Sequence, residues 1–457
     1  MRAAPRPERE IHRRLAARAL ERYWPGRSDI LPAAPELGPS PAPEASAPPR
    51  MTVVPLPEWA SDLAVAGGLL VPAHTAPNAA AADWEKTDWL EACFWYLHGA
   101  GEREHENRNG PVHSFAYRLR GWDGRIWDRA WANRIALFLR RLAARRLGRS
   151  EQEIFGPLPS ARLALTHDVD AVRKTVPIRL KQTAFKLFGA ASELRRGRLP
   201  ESWRKLKAAA AFLVGKDNYW CFDRIRRLEA DQGLTGWWMF YGGRGGWARH
   251  PREVLFDPFY RVDERRISEE LRDLVRSGSK VGLHQSFGAW RDSALMVRER
   301  LALEAALGER VTLCRQHWLR FSWAETWAAQ EAAGFDLDCT LGFNDRPGFR
   351  NGAALRYHPW KPDLSGEMRI ESLPMVLMDS HLYDYAGLKP EEIGPAVDAW
   401  IDEVRLVRGE ASIIWHQRVF SRDYGWRPGY ERVLARAAEM AGEALDRENE
   451  GGGAAHV

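Results

Sequence analysis

Cysteine is scarce in this chain. Only Cys93, Cys221, Cys314 and Cys339 occur in 457 residues, far apart and without a CxxC pair. That spacing argues against a zinc knuckle. Long apolar runs are lacking too: the longest, around Leu63 to Val71, is too short to span a bilayer. The N-terminus has no basic start followed by an apolar core, the pattern of a secretory signal. These absences predict a cytoplasmic protein with reduced thiols and no transmembrane segment. Strong charge of one sign is also missing. Lys and Arg number 67 against 61 Asp and Glu, a net +6 with a pI of about 9.1. Such a balance favours anionic partners in general. It is too mild and too dispersed to indicate nucleic acid.

What is present is ample core material. Apolar and aromatic residues make up 45% of the chain, so burying a sizeable core is not in doubt, and the length suits one large domain plus a smaller one. The 21 tryptophans are compatible with carbohydrate contact, but Trp serves packing first.

The densest signal is Leu163-Ala164-Leu165-Thr166-His167-Asp168-Val169-Asp170. It reads as an apolar strand ending in acids, which strands normally avoid. Asp168 and Asp170 are two apart and so share a face. Two like charges held together need a cation or a shared proton. An Asx-rich turn capping the next helix is the plain alternative. Three further runs behave alike. Lys280-Val281-Gly282-Leu283-His284, Thr312-Leu313-Cys314-Arg315-Gln316-His317 and Ser412-Ile413-Ile414-Trp415-His416 each end on histidine after an amphipathic helical stretch. Alternating helix and strand predicts a parallel α/β sheet. Metal-capable residues at several C-terminal strand ends are where such sheets build sites.

In order and setting, Asp168, Asp170, His284, Arg315 and His416 resemble the polysaccharide deacetylase (NodB-homology) family over about residues 160 to 440. The resemblance implies a distorted (β/α) barrel of six or seven to eight strands, with a small N-terminal helical or mixed cap. It implies hydrolysis of acetyl groups on sugars with a bound divalent metal, expected to be zinc. THDVD at 166–170 is similar to the family's first motif, with Asp168 as base and Asp170 as metal ligand. LHQS at 283–286 resembles the second, with His284 as ligand. Arg315 takes the place of the arginine that orients the base, and His416 that of the catalytic acid. One departure stands out: the second motif normally carries another metal histidine four residues on, where this chain has Gly288. His317, two residues past Arg315 and on its face, is the expected substitute. His167 is the runner-up, although it alternates with both aspartates and should point away from them.

The chemistry has its own logic. Hydrolysis of an amide or ester needs an activated water, a sink for oxyanion charge and a proton for the leaving group. A metal on Asp170, His284 and His317 would supply the first two. Asp168, aimed by Arg315, would accept a proton, and His416 would donate one. Asp379 is the candidate for holding the His416 tautomer. The loop 342–352 offers Asp345, Arg346 and Arg350 as substrate contacts, or else as a self-paired surface loop. Trp318 is a candidate sugar platform. The expected partner is a carbohydrate, an N-acetylated sugar of a bacterial surface polysaccharide or its precursor, with peripheral contact to polysaccharide-assembly machinery. A hydrolase of a small amide and an inactive glycan-binding or assembly protein remain as alternatives.

Along the chain, residues 1–80 are expected to be disordered or linker, with a Pro-rich run from Pro32 to Pro49 and Met51 as an alternative start. Residues 81–155 should form the cap, including an amphipathic helix through Trp131, Ile135, Phe138 and Leu142 that stops near Gly148. Its His98, His105, His113, Glu102, Glu104 and Glu106 read as a solvated loop rather than a metal site. Residues 156–447 should be the barrel and 448–457 a flexible tail. The basic stretch from Arg173 to Lys216 reads as helices with a solvated face. A lid or docking arm for an anionic glycan, a lipid-linked sugar or a membrane is the other reading.

Overall fold

The computed structural model describes residues 6–33, 35, 48–76 and 83–452. Two sheets are present: a two-stranded hairpin of β1 (Met51–Pro55) and β2 (Gly68–Pro72), and an eight-stranded sheet. The larger comprises β3 (Arg162–Val169), β4 (Trp237–Tyr241), β5 (Lys280–Gln285), β6 (Leu313–Gln316), β7 (Leu337–Asp338), β8 (Glu371–Ser372), β9 (Met375–Met378) and β10 (Glu410–Ile414). Its order is β8-β7-β6-β5-β4-β3-β10-β9, and every pairing is parallel. The fold is therefore α/β, as the alternating pattern predicts.

The sheet curls into a distorted barrel. Its two edge strands, β8 and β9, are consecutive in the chain, joined by Leu373 and Pro374. One bent strand thus pairs with β7 at one end and β10 at the other. Proline suits such a break because it has no N–H to offer a ladder. The Met375 N–H donates to the Leu341 carbonyl at 2.8 Å, just beyond the bend. Met239, Leu313, Leu337, Cys339 and Leu373 meet inside as an apolar floor. Gly282 belongs to this floor by necessity: a Cβ there would lie 2.7 Å from both the Leu313 side chain and the Met239 sulfur. Above the floor, on the same inward face, sit Thr166, Asp168, His284 and Arg315, all buried.

The outward faces carry the main core. Leu165, Val169, Trp238, Phe240, Leu283, Cys314, Ile413 and Trp415 pack against the surrounding helices. Among these helices, Arg265–Arg276, Ser293–Leu307 and Pro390–Leu406 cover the positions whose spacing predicts them. β4 ends on Tyr241 with no acid, histidine or arginine, and the strand-end pattern does not find it. All four cysteines are buried and free.

The N-terminal region differs from expectation. Residues 6–33 and 48–76 are not linker. They contain the helix Arg6–Ala19 and the β1–β2 hairpin, and bury Leu15, Leu20, Tyr23, Trp24 and Leu69. The Ala- and Arg-rich composition hid apolar residues at helical spacing. The Tyr23 hydroxyl donates to the Val407 carbonyl at 2.6 Å. Most of the Pro32–Pro49 run lies outside the described residues. At the C-terminus, the helix Arg427–Gly452 continues through residues 448–452, expected as tail; 453–457 lie outside the description.

Residues 83–155 form helices Trp89–Leu97, Ala100–Asn109, Trp131–Arg146 and Glu151–Phe155. The charged run holding Glu102, Glu104 and Glu106 is the second of these helices, not a solvated loop. Glu102 pairs with Arg350 at 2.8 Å, both side chains buried. The Trp323 N–H donates to Glu106 at 3.0 Å. A second buried pair, Arg134 with Glu403 at 2.6 Å, fastens this region to the barrel helix Pro390–Leu406. No helix among the described residues is long and apolar enough to cross a membrane.

Candidate metal centre

Four strand ends converge on one mouth. Asp168 is the seventh residue of β3 and Asp170 follows the strand; their shared inward face follows from strand alternation. His284 is the fifth residue of β5, beside Arg315 of β6 in the parallel register. The His284 Nε2 lies 3.3 Å from Asp170 Oδ1, and the His317 Nε2 lies 3.5 Å from that same oxygen. The two imidazole centroids are 4.7 Å apart. Asp170, His284 and His317 offer one ligand atom each, all within 4.8 Å of one another, a group that could hold a metal ion.

The donors fit a cation. The His284 Nδ1 faces the Arg315 carbonyl at 3.3 Å, which leaves Nε2 as the atom turned to the centre. That Nε2 and Asp170 Oδ1 are both buried without a hydrogen-bond partner. Orphaned buried polar atoms are costly, so two of them facing each other call for a ligand. Tetrahedral coordination with bonds of about 2.0–2.1 Å places ligand atoms about 3.3 Å apart, close to the two spacings between Asp170 and the histidines.

Around this group stand two carboxylate-bearing pairs. Arg315, fully buried, donates from Nη1 to Asp168 Oδ1 and to Thr166 Oγ1, each at 2.7 Å. Burial alone would raise the Asp168 pKa; the Arg315 guanidinium, helped by His284 and His416, outweighs it and holds the carboxyl below its ordinary value. On the far side, His416 Nδ1 lies 2.9 Å from Asp379 Oδ1, and the His416 backbone N–H donates to the other oxygen at 2.6 Å. Burial disfavours the imidazolium, yet the Asp379 and Asp170 carboxylates raise its pKa overall. The His416 Nε2 points inward, 3.5 Å from Asp170 Oδ2.

Three residues that strand-end reasoning misses complete the centre. Asp257 accepts from His317 Nδ1 at 3.2 Å and so aims its Nε2 at Asp170. Burial works against charging His317, but the neighbouring Asp170 and Asp257 carboxylates raise its pKa to about 9. Arg418 is paired with Asp170 Oδ2. Burial opposes ionising Asp170, and Arg418 leads the positive groups that hold its pKa well down. Ser114, from the N-terminal region, donates to the Trp318 carbonyl at 2.7 Å. That contact clamps a strained turn, because Trp318 (φ 58°) and Leu319 (φ 48°) are non-glycine residues in the left-handed region.

Gly288 is as open as its lack of a side chain suggests: a Cβ there would meet nothing within 4 Å. His167 points to the outer face, its Nδ1 2.7 Å from the Trp415 carbonyl and its Nε2 2.7 Å from Glu229.

A cavity of about 400 Å³ opens over the centre and is lined by Asp168, Asp170, His284, His317, Trp318 and His416, among others. Three expected substrate contacts are elsewhere. Asp345 accepts backbone N–H bonds from Ala116 and Tyr117 at 2.9 and 3.0 Å. Arg346 pairs with Asp128 at 2.7 Å, and Arg350 is fully buried against Glu102. Their charges are consumed in fastening the loop to the N-terminal region. From the same loop, Asn344 reaches the cavity instead, its Nδ2 buried and unpartnered.

No family model matches this chain, and no curated protein matches it. Among the solved structures similar to it are polysaccharide deacetylases and family 4 carbohydrate esterases. One, from Mycobacterium smegmatis and assigned as a polysaccharide deacetylase, is 18% identical. It aligns over 62% of this chain and 84% of its own length, with a TM-score of 0.34. A family 4 carbohydrate esterase from Streptomyces lividans, solved with acetate, is 12% identical over 62% and 90%, with a TM-score of 0.28. A pseudoenzyme of the same esterase family from Bacillus anthracis is 8% identical over 67% and 76%, with a TM-score of 0.26. Likenesses this distant carry no chemistry across, and the reading that follows rests on the residues of this centre.

Proposed function

We propose that the protein is a metal-dependent hydrolase that removes an acetyl group from an N-acetylated sugar, one belonging to a bacterial surface polysaccharide or its precursor. One observation carries the reading. Two orphaned atoms, Asp170 Oδ1 and His284 Nε2, face each other beside His317, between a carboxylate locked to arginine and a histidine locked to aspartate. The two-nitrogen, one-oxygen donor set favours Zn²⁺.

When bound, the cation supplies a Lewis acid for the acyl oxygen and the attacking water. Asp168, ionised and fixed by Arg315, accepts the proton of that water. His416, protonated at Nε2 while Asp379 holds Nδ1, delivers a proton to the departing amine. Asp257 and the Arg315 carbonyl keep the two imidazole ligands oriented. Asn344, with a free donor in the cavity, suits a carbonyl or hydroxyl of the substrate.

The test is elemental analysis of protein purified without added ions, combined with acetate release from N-acetylglucosamine oligomers. Near-stoichiometric zinc that is lost in Asp170→Ala, together with acetate release, supports the reading. Protein that holds no metal when zinc is offered overturns it.

A further inference from the structure

Two helices, Val176–Arg195 and Leu199–Val214, form an antiparallel hairpin that packs chiefly on itself. Ser202 donates to the Ala190 carbonyl at 2.9 Å, and Phe212 is buried beneath Lys186 and Lys174. The first helix exposes Val176, Leu180, Leu187, Phe188 and Leu194; the second exposes Leu199, Trp203, Leu206 and Leu213. Ala184 and Ala191, and then Ala210, fill the gaps and are exposed as well. On both helices these positions recur at steps of three or four residues, with Phe188 widening the stripe beside Leu187, so each carries a continuous apolar stripe. Each stripe lies about a quarter turn, in the same rotational sense, from the residues buried between the helices. In an antiparallel pair this puts both stripes on one side. The stripe is no solvated face: Phe188 is 69% and Trp203 61% exposed.

The charge of the chain gathers in the same place. Residues 173–216 contain twelve Lys or Arg and two Glu, a net +10, against +6 for all 457 residues, so the remainder carries −4. The positive balance is thus concentrated, not dispersed. A second copy of this chain is a poor match for the stripe, since it would set +10 against +10. An anionic bilayer answers both features at once: acyl chains for the stripe and phosphate headgroups for the cations. Pro177, Ile178 and Gln182, in the first turns of the hairpin, line the cavity over the metal centre. Leu255 and Tyr385, which also line it, are 56% and 44% exposed.

We infer that the helical hairpin 176–214 docks the protein on an anionic phospholipid surface, with the mouth of the candidate site beside the contact. The test is co-sedimentation of the full chain with vesicles of phosphatidylcholine alone and of phosphatidylcholine mixed with phosphatidylglycerol. Binding should appear with the anionic vesicles only and weaken as salt is added. The double variant Arg195→Ala/Arg196→Ala should weaken it about fivefold per charge removed. The double variant Phe188→Ser/Trp203→Ser should weaken it as well, which a purely electrostatic contact would not. Equal binding to both vesicle types, no binding to either, or unchanged binding of the serine variant would each overturn the inference. So would a dimer in vesicle-free solution that the serine variant abolishes. The readout involves no hydrolysis, so it stands or falls apart from the proposed chemistry.

Discussion

β3 carries two buried clusters of acid and imidazole, one on each face, and they differ in kind. On the outer face His167 is fully satisfied: Nδ1 on the Trp415 carbonyl, Nε2 on Glu229, and the Tyr430 hydroxyl donating to Glu229 at 2.6 Å. On the inner face Asp170 Oδ1 and His284 Nε2 have no hydrogen-bond partner. Both clusters are buried and both mix histidine with carboxylate. Burial and charge therefore do not mark a site; two orphaned metal-capable atoms facing each other do.

The contrast can be broken by mutation. Asp168→Asn should lower kcat by about a thousandfold while leaving bound metal unchanged by elemental analysis; loss of metal would place Asp168 among the ligands. His167→Leu strands Glu229 and should destabilise the fold by about 3 kcal/mol. Urea unfolding reads that loss, and metal stoichiometry in the surviving folded protein should stay at the wild-type level. Reduced metal occupancy would mean the two faces are coupled.

Smaller effects sharpen the picture. Asp257→Asn should weaken metal affinity about 10- to 100-fold, measured by competition with a chelating dye. The pH profile supplies the last test. In the proposed chemistry His416 must be protonated to act as acid, and its pKa is raised above the ordinary 6.5. Activity should therefore persist above pH 6.5 and fall as pH rises through the raised value. Asp379→Asn removes a carboxylate that supports the imidazolium, so the basic limb should move to lower pH. An unmoved limb would assign it to another group.

The inner face was legible because strand ends write themselves in sequence. An apolar run that stops on Asp, His or Arg is locally anomalous, and alternation fixes which residues share a face. Asp168, Asp170, His284, Arg315, His317 and His416 all lie at such strand ends, and Asp379 was the expected partner of His416. Asp257 and Arg418 were not legible. Each lies in a segment without periodicity and gains its meaning only from a partner across the fold. The loop 342–352 misled for the same reason. Its charges look free in one dimension, yet Asp128, Glu102 and the Ala116 amide are waiting for them in three. The linker expectation for residues 1–80 failed where composition was weighed above spacing: helix Arg6–Ala19 buries Leu15 and Ala16 amid its arginines.

The order of the barrel strands has a temporal consequence. β10 is the last barrel strand to leave the ribosome, and it fits between β3, the first, and β9. It acts as a keystone. Until residue 416 has emerged, a nascent chain has an open trough where the mouth will be and no His416 at its rim. A premature stop anywhere before Glu410 should therefore yield a chain with an unsealed seam rather than a slightly loosened barrel.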